Sequence, residues 1–137
     1  MASVFTRILK GELPCYKIHE DEYTFSFLTL GQVQVGHTLV IPKTEVDHFF
    51  DVPEPYYSAV FKTAKLLAPA ILKATGAKRI GTCIVGLEVP HFHYHMIPIS
   101  QVSDFNFALA KELPAEKMKE IQQKIVTNLK SFSLYQM

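Results

Sequence analysis

Between Pro14 and Pro42, three short stretches rich in strand-forming residues follow one another with no helical segment between them. They run Tyr16 to His19, Tyr23 to Leu28 and His37 to Pro42; the acidic turn Glu20-Asp21-Glu22 joins the first two, and a proline ends the third. Parallel neighbours need a long crossover, usually a helix, so such a run pairs antiparallel. Side chains alternate sides along a strand, which puts Tyr23, Phe25 and Phe27 on one face of the second stretch. Arg79 to Val85 and His91 to Ile99 are expected as two further strands.

The rest of the chain has helical spacing. Ser3 caps a short opening helix carrying Phe5, Ile8 and Leu9, with Gly11 as its stop. Pro55 opens a long helix to about Thr75, with Val60, Ala64, Leu67, Ala68, Ile71 and Leu72 as its inward stripe and Gly76 at its end. Pro69 lies inside that helix, where a proline deletes a backbone bond at a cost of about 3 kcal/mol, so a kink or a break is expected. Pro114 opens a last helix with Met118, Ile121, Ile125, Leu129 and Phe132 on one side. The order αβββαββα describes an α+β fold: a five-stranded antiparallel sheet, a long central helix, a short N-terminal helix and a C-terminal helix. Residues 1–137 are expected to form one domain, with 101–137 a C-terminal extension that includes the last helix.

Of the 137 residues 48% are apolar, enough to fill a core, and 14 basic residues balance 13 acidic ones along the chain. No broad basic face exists to bind nucleic acid. Cys15 and Cys83 stand apart without a CxxC pairing, as free thiols in a reducing compartment would. No window approaches the ~20 apolar residues of a membrane span, so the expectation is a soluble intracellular protein.

Three of the six histidines, His91, His93 and His95, fall at every second position of HFHYHMIP. On a regular strand they form one row, with Phe92, Tyr94 and Met96 packed on the other side. At ~3.3 Å per residue the outer two lie about 13 Å apart, too far for one metal ion to use all three. A metal would have to recruit Cys15, His19, His37, His48 or an acid; His48, in a loop after a strand end, is expected at the surface. Lone buried histidines are commonly satisfied by hydrogen bonds, but a row of three is costly to satisfy in a core. Neutral imidazole is a nucleophile near neutral pH, and neighbouring imidazoles can donate to phosphate oxygens or protonate a leaving group. His93, with a histidine on either side, is the expected attacker.

HFHYHMIP resembles the His-x-His-x-His-x-x motif of the histidine triad family of nucleotide hydrolases and transferases. VFTRILKGELPCYKIHEDE is similar to that family's N-terminal helix and first strand, and GHTLVIPK to its segment with a fourth histidine, so the likeness spans about Val4 to Pro98. The resemblance implies a homodimer whose two sheets join. It implies that His93 attacks the α-phosphorus, flanked by His91 and His95 and supported by His37, and that water resolves the nucleotidyl-histidine. It places base and sugar among Phe5, Ile8, Leu13, Phe27 and Leu30, which are equally good core residues, with Thr29, Glu88 and Val89 completing the nucleotide site. The implied partner is a purine nucleotide of the AMP type, with no cofactor, metal, nucleic acid or membrane, in the cytoplasm or also the nucleus. The implied activity is hydrolysis of a nucleoside phosphoramidate, dinucleoside polyphosphate or related conjugate; His95 argues against the transferase branch, which typically has glutamine there. The alternatives are a non-catalytic nucleotide-binding or interaction protein and a metal-binding protein.

Three departures bear on the site. Thr29 stands where many members carry an aspartate for both ribose hydroxyls, and one hydroxyl cannot match a carboxylate's two-pronged acceptance. Glu88 replaces a phosphate-facing hydroxyl with an acid. The connection from Ile80 to Gly86 is too short for the asparagine loop of many members.

Overall fold

The computed structural model describes residues 2–136, with side chains through residue 132. Helix α1 is Val4–Leu9, strands β1, β2 and β3 are Tyr16–Glu20, Thr24–Leu28 and Thr38–Pro42, and helix α2 is Tyr56–Thr75. Strands β4 and β5 are Arg79–Cys83 and Tyr94–Ile99, and helix α3 is Ala115–Gln136. The five strands form one antiparallel sheet in the order β1-β2-β3-β5-β4. The α+β reading and the element order therefore hold.

The sheet is covered on both faces. On one, Ile18, Leu28, Val40 and Met96 pack against Val60, Leu67 and Ile71 of α2 and Met118, Ile121, Ile125 and Leu129 of α3. On the other, Phe25, Phe27, Leu39 and Ile41 receive Phe5 from α1, with Ile8, Leu9, Cys15 and Val89 at the margin. Burial on both sides explains why β2 and β3 are buried at every residue.

The structure corrects the expected boundaries. Strand β5 begins at Tyr94, not His91; β4 ends at Cys83, not Val85; β3 begins at Thr38. The amide of Phe92 bonds to the carbonyl of Val46 at 2.6 Å, and that of His91 to Val89 at 2.8 Å, so this stretch turns away from the sheet ladder. Helix α2 continues through Pro69 in one piece. Pro69 is exposed, as is Lys65, whose carbonyl loses its helical donor, so water can satisfy the freed oxygen. In the expected stripe of α2, Ala68 and Leu72 are only half-buried, while Thr63 and Ala70 are buried instead. Thr63 is pulled inward by polar partners: its hydroxyl donates to Asp21 at 3.1 Å and lies 2.8 Å from that of Thr24.

Just before β3 the chain turns at Gly36, where φ is +102° and an added Cβ would lie 2.6 Å from Thr75 Cγ2 and 3.2 Å from Pro98 Cγ. Both the backbone angle and the space demand glycine. Gly36→Ala is expected to destabilise the fold by about 2 kcal/mol or more, read as a lowered midpoint in chemical denaturation.

Candidate active site

Four imidazoles, His37, His91, His93 and His95, are buried together on the α1 side of the sheet. The pairing of Leu39 with His95 across β3 and β5 brings His37, at the entry to β3, against His95, with ring centroids 5.2 Å apart. His93 follows, its ring 4.9 Å from that of His95 and 5.0 Å from that of Phe5. His91 lies on the far side of Phe5, 5.8 Å from it.

Backbone groups decide the tautomers of His37, His91 and His93, because a carbonyl only accepts and an amide only donates, and His37 in turn decides that of His95. Val33 N–H donates to His37 Nδ1 at 3.2 Å, so His37 carries its hydrogen on Nε2 and donates it to His95 Nδ1 at 2.9 Å. That leaves the hydrogen of His95 on Nε2. His93 Nδ1 donates to the carbonyl of His91 at 2.7 Å, which leaves a bare lone pair on His93 Nε2. His91 Nε2 donates to the carbonyl of Pro42 at 3.1 Å, and its Nδ1 accepts from the hydroxyl of Ser3 at 2.9 Å.

All four rings stay neutral near pH 7. Burial pushes His37 down to about 3, helped by His95 and His93, and pushes His95 down to about 4, helped by His93. Burial also lowers His91 and His93; the Pro42 carbonyl and Glu45 work against it at His91, and the His91 carbonyl, Glu88 and Asp47 work against it at His93.

Two clefts meet at this cluster. The first is lined by Val4, Phe5, Ile8, Pro14, Cys15, Phe27, Leu28, Thr29 and Leu30. The second is lined by Val85, Gly86, Leu87, Glu88, His93, His95 and Phe107. Phe5 walls the first, and its ring lies beside that of His93, which lines the second.

The structure thus gathers Phe5, Ile8, Phe27, Thr29 and Leu30 on one side of His93, and His95 with Glu88 on the other. Val89 packs behind, on the Phe5 and Phe27 cluster. Leu13 is half-buried and lines neither cleft. His91 is fully buried, both its nitrogens are hydrogen-bonded within the protein, and its carbonyl accepts from His93. His93 and His95 are only 7% and 8% exposed. His48 is exposed and stacks on Phe50. Cys15 and Cys83 are free, and burial raises both thiols, which keeps them protonated at neutral pH. Among the described residues no three His, Cys, Asp or Glu side chains are grouped to hold a metal ion.

Several contributors were silent in the sequence. Ser3 caps α1 through the amide of Thr6, and its second bond reaches His91, 88 positions away. Glu45 accepts from Ser3 N–H and the Thr6 hydroxyl, tying α1 to the loop after β3. The side chain of Gln32 bonds to the backbone of Thr29, Gly36 and His37, shaping the turn that presents Val33 N–H. Phe107, in the C-terminal extension, sets its edge against His95 at 5.0 Å. Only Ser3 had a local signal, and that signal concerned the helix.

Sequence and structure comparisons place this arrangement among known proteins. The model of the HIT domain matches residues 10–102. A HIT-like protein of Borreliella burgdorferi is 32% identical over 135 residues, covering 92% of this chain and 97% of that one. The adenosine 5′-monophosphoramidase of Saccharomyces cerevisiae is 34% identical over 98 residues, covering 71% of this chain and 62% of the yeast protein. The crystal structure of a Hit-like protein from Bartonella henselae aligns with TM-score 0.82 at 27% identity, covering 92% of this chain and 95% of that one.

The lowered histidines couple stability to pH. In the unfolded chain they bind protons below about 6.5, whereas in the native state His37 and His95 resist until about 3 and about 4. Between those limits the unfolded state holds more protons, so stability falls as pH falls through that window. Each such histidine should contribute at most about 1.4 kcal/mol per pH unit below 6.5. Denaturation of wild type and His37→Gln between pH 7 and 4.5 should show a shallower loss in the variant.

Proposed function

Because the chain belongs to the HIT domain family, whose model spans most of it, we propose that it is a nucleotide hydrolase that cleaves at the α-phosphorus of a nucleoside phosphoramidate or related conjugate. The observation that carries this reading is the pair of free nitrogens facing one cleft: the bare Nε2 of His93 beside the Nε2–H of His95. The names of relatives agree, with an adenosine 5′-monophosphoramidase in yeast and an adenylylsulfatase in Arabidopsis thaliana.

The nucleoside sits in the apolar cleft of Phe5, Ile8, Phe27, Thr29 and Leu30, with the α-phosphate over His93. The Nε2 lone pair of His93 forms a bond to phosphorus while the phosphorus–nitrogen bond to the leaving amine breaks. The electron pair of that bond stays on the amine, which takes the proton of His95 Nε2, and the negative charge so left on His95 is offset by the positive charge that His93 gains. Water then attacks phosphorus and gives a proton to His95, the phosphorus–Nε2 bond breaks, and AMP leaves with both rings restored. The His91 carbonyl holds the hydrogen of His93 on Nδ1 throughout, and stabilises the positive charge on His93 while phosphorus is attached. His37 keeps the Nδ1 of His95 occupied, so that Nε2 remains the donor.

The outer edge of β4 has no strand partner among the described residues. Beside it lies a groove lined by Phe61, Lys65, Ala68, Ile80, Thr82 and Tyr94, where α2 leaves apolar side chains half-covered. A second copy related by a twofold axis would continue the sheet and cover this groove, making the protein a homodimer with its site in the cytoplasm or nucleus.

Two experiments test these readings. His93→Ala should lower AMP release from an adenosine phosphoramidate to the uncatalysed rate while AMP binding persists; His95→Ala should lose about 10²–10⁴-fold, as for removal of a general acid. Acid quenching of the wild type should trap nucleotide on the protein, and an active His93→Ala would refute the route. Sedimentation at micromolar concentration should give twice the 15.5 kDa chain mass, and a monomer would refute the dimer.

A further inference from the structure

The cleft beyond His95, where the departing group must sit, has an unusual lining for a phosphate enzyme. It is about 310 Å3 in volume and is walled by Val85, Leu87 and Phe107, with Glu88 at its side. Leu87 is 90% exposed and Phe107 42%, so these side chains offer apolar surface to whatever enters. Among the described residues no lysine or arginine lines the cleft. Among the described residues Glu88 makes no ion pair, which leaves its carboxylate free to meet a ligand. The charges that act on His93 are those of Glu88 and Asp47, both acids.

This combination separates the leaving groups that hydrolysis at an α-phosphorus could expel. A polyphosphate or sulfate brings two or more negative charges, which would face an acid with no cation to offset it. An apolar amine buries its carbon skeleton against Leu87 and Phe107, and a positive charge elsewhere on that skeleton would approach Glu88. Resting on the hydrolase reading above, we infer that Val85, Leu87, Glu88 and Phe107 form a leaving-group subsite selective for apolar amines that carry a positive charge, and against anionic leaving groups. Phe107 can act this way because it is held from two sides. The pairing of Gln32 with Lys111 anchors the extension just after it, and Phe105, just before it, lies so close to Gly81 that an added Cβ there would come within 2.8 Å of its ring.

The experiment uses adenosine 5′-phosphoramidates of three benzylamines that differ only at the para position: aminomethyl, methyl and carboxylate. For the wild type kcat/KM should fall in that order, with about tenfold between the cationic and the anionic compound, the combined size of one exposed attraction and one exposed repulsion. Glu88→Gln should bring the three within about twofold, and Glu88→Lys should reverse the order. Because each variant is judged by a ratio between substrates, any effect of Glu88 on phosphate binding itself cancels. Phe107→Ser should shrink the preference for the benzylamine over the methylamine phosphoramidate by about fivefold. An anionic compound processed as fast as the cationic one by wild type, or an unchanged order in Glu88→Gln, overturns the charge selectivity. An unchanged benzylamine preference in Phe107→Ser overturns the apolar wall. Release of AMP from none of the compounds by folded protein overturns the hydrolase reading itself, and the subsite with it.

Discussion

A backbone carbonyl can only accept a hydrogen bond and a backbone amide can only donate one, and the candidate active site is organised by that asymmetry. The His91 carbonyl holds a hydrogen on His93 Nδ1, and Val33 N–H excludes one from His37 Nδ1. From these two contacts the protonation pattern of the pair facing the cleft follows: a lone pair at His93 Nε2 and a hydrogen at His95 Nε2. An imidazole in water exchanges between tautomers freely. Here the alternatives would bring two donors or two acceptors face to face in a buried setting, where a lost partner costs about 1–3 kcal/mol.

Each of these backbone groups is positioned by a different part of the fold. The Pro42 carbonyl that receives His91 is the last of β3, and the hydroxyl that reaches the other side of His91 comes from the cap of α1. The β3–β5 register places His37 beside His95, and the Gln32 side chain shapes the turn carrying Val33. The departure of residues 91–93 from the sheet ladder lets successive rings point into different surroundings, His91 into the protein and His93 toward the cleft. A straight strand would have lined them up.

Burial keeps the rings neutral, and among the described residues no lysine or arginine lines the cleft. On the proposed hydrolase reading, phosphate would be held there by neutral donors, strengthened by the low polarity around them. On that reading a singly charged phosphodiester-like group would be held more readily than a highly charged chain. The site's acidic neighbours Glu88 and Asp47 press in the same direction, toward leaving groups that bring no further negative charge.

Strand order in sequence, the two long apolar stripes and the alternation of HFHYHMIP are local patterns, and from them alone the five-stranded antiparallel sheet, the helices and the histidine cluster could be recognised. Short-range spacing reports faithfully on periodicity and on residue chemistry. It carries no information about where the strand starts, since Phe92 and Val46 exchange a hydrogen bond that depends on a loop elsewhere, nor about Pro69, whose exposure spared the helix a break. The three histidines do not share one regular strand for the same reason: tertiary contacts from Ser3 and Pro42 claim His91. Thus the sequence by itself determined which side chains could do the chemistry. Tertiary structure alone decided which nitrogen of each ring is free to do it, because the deciding hydrogen bonds join residues as far apart as Ser3 and His91, and only folding brings them together.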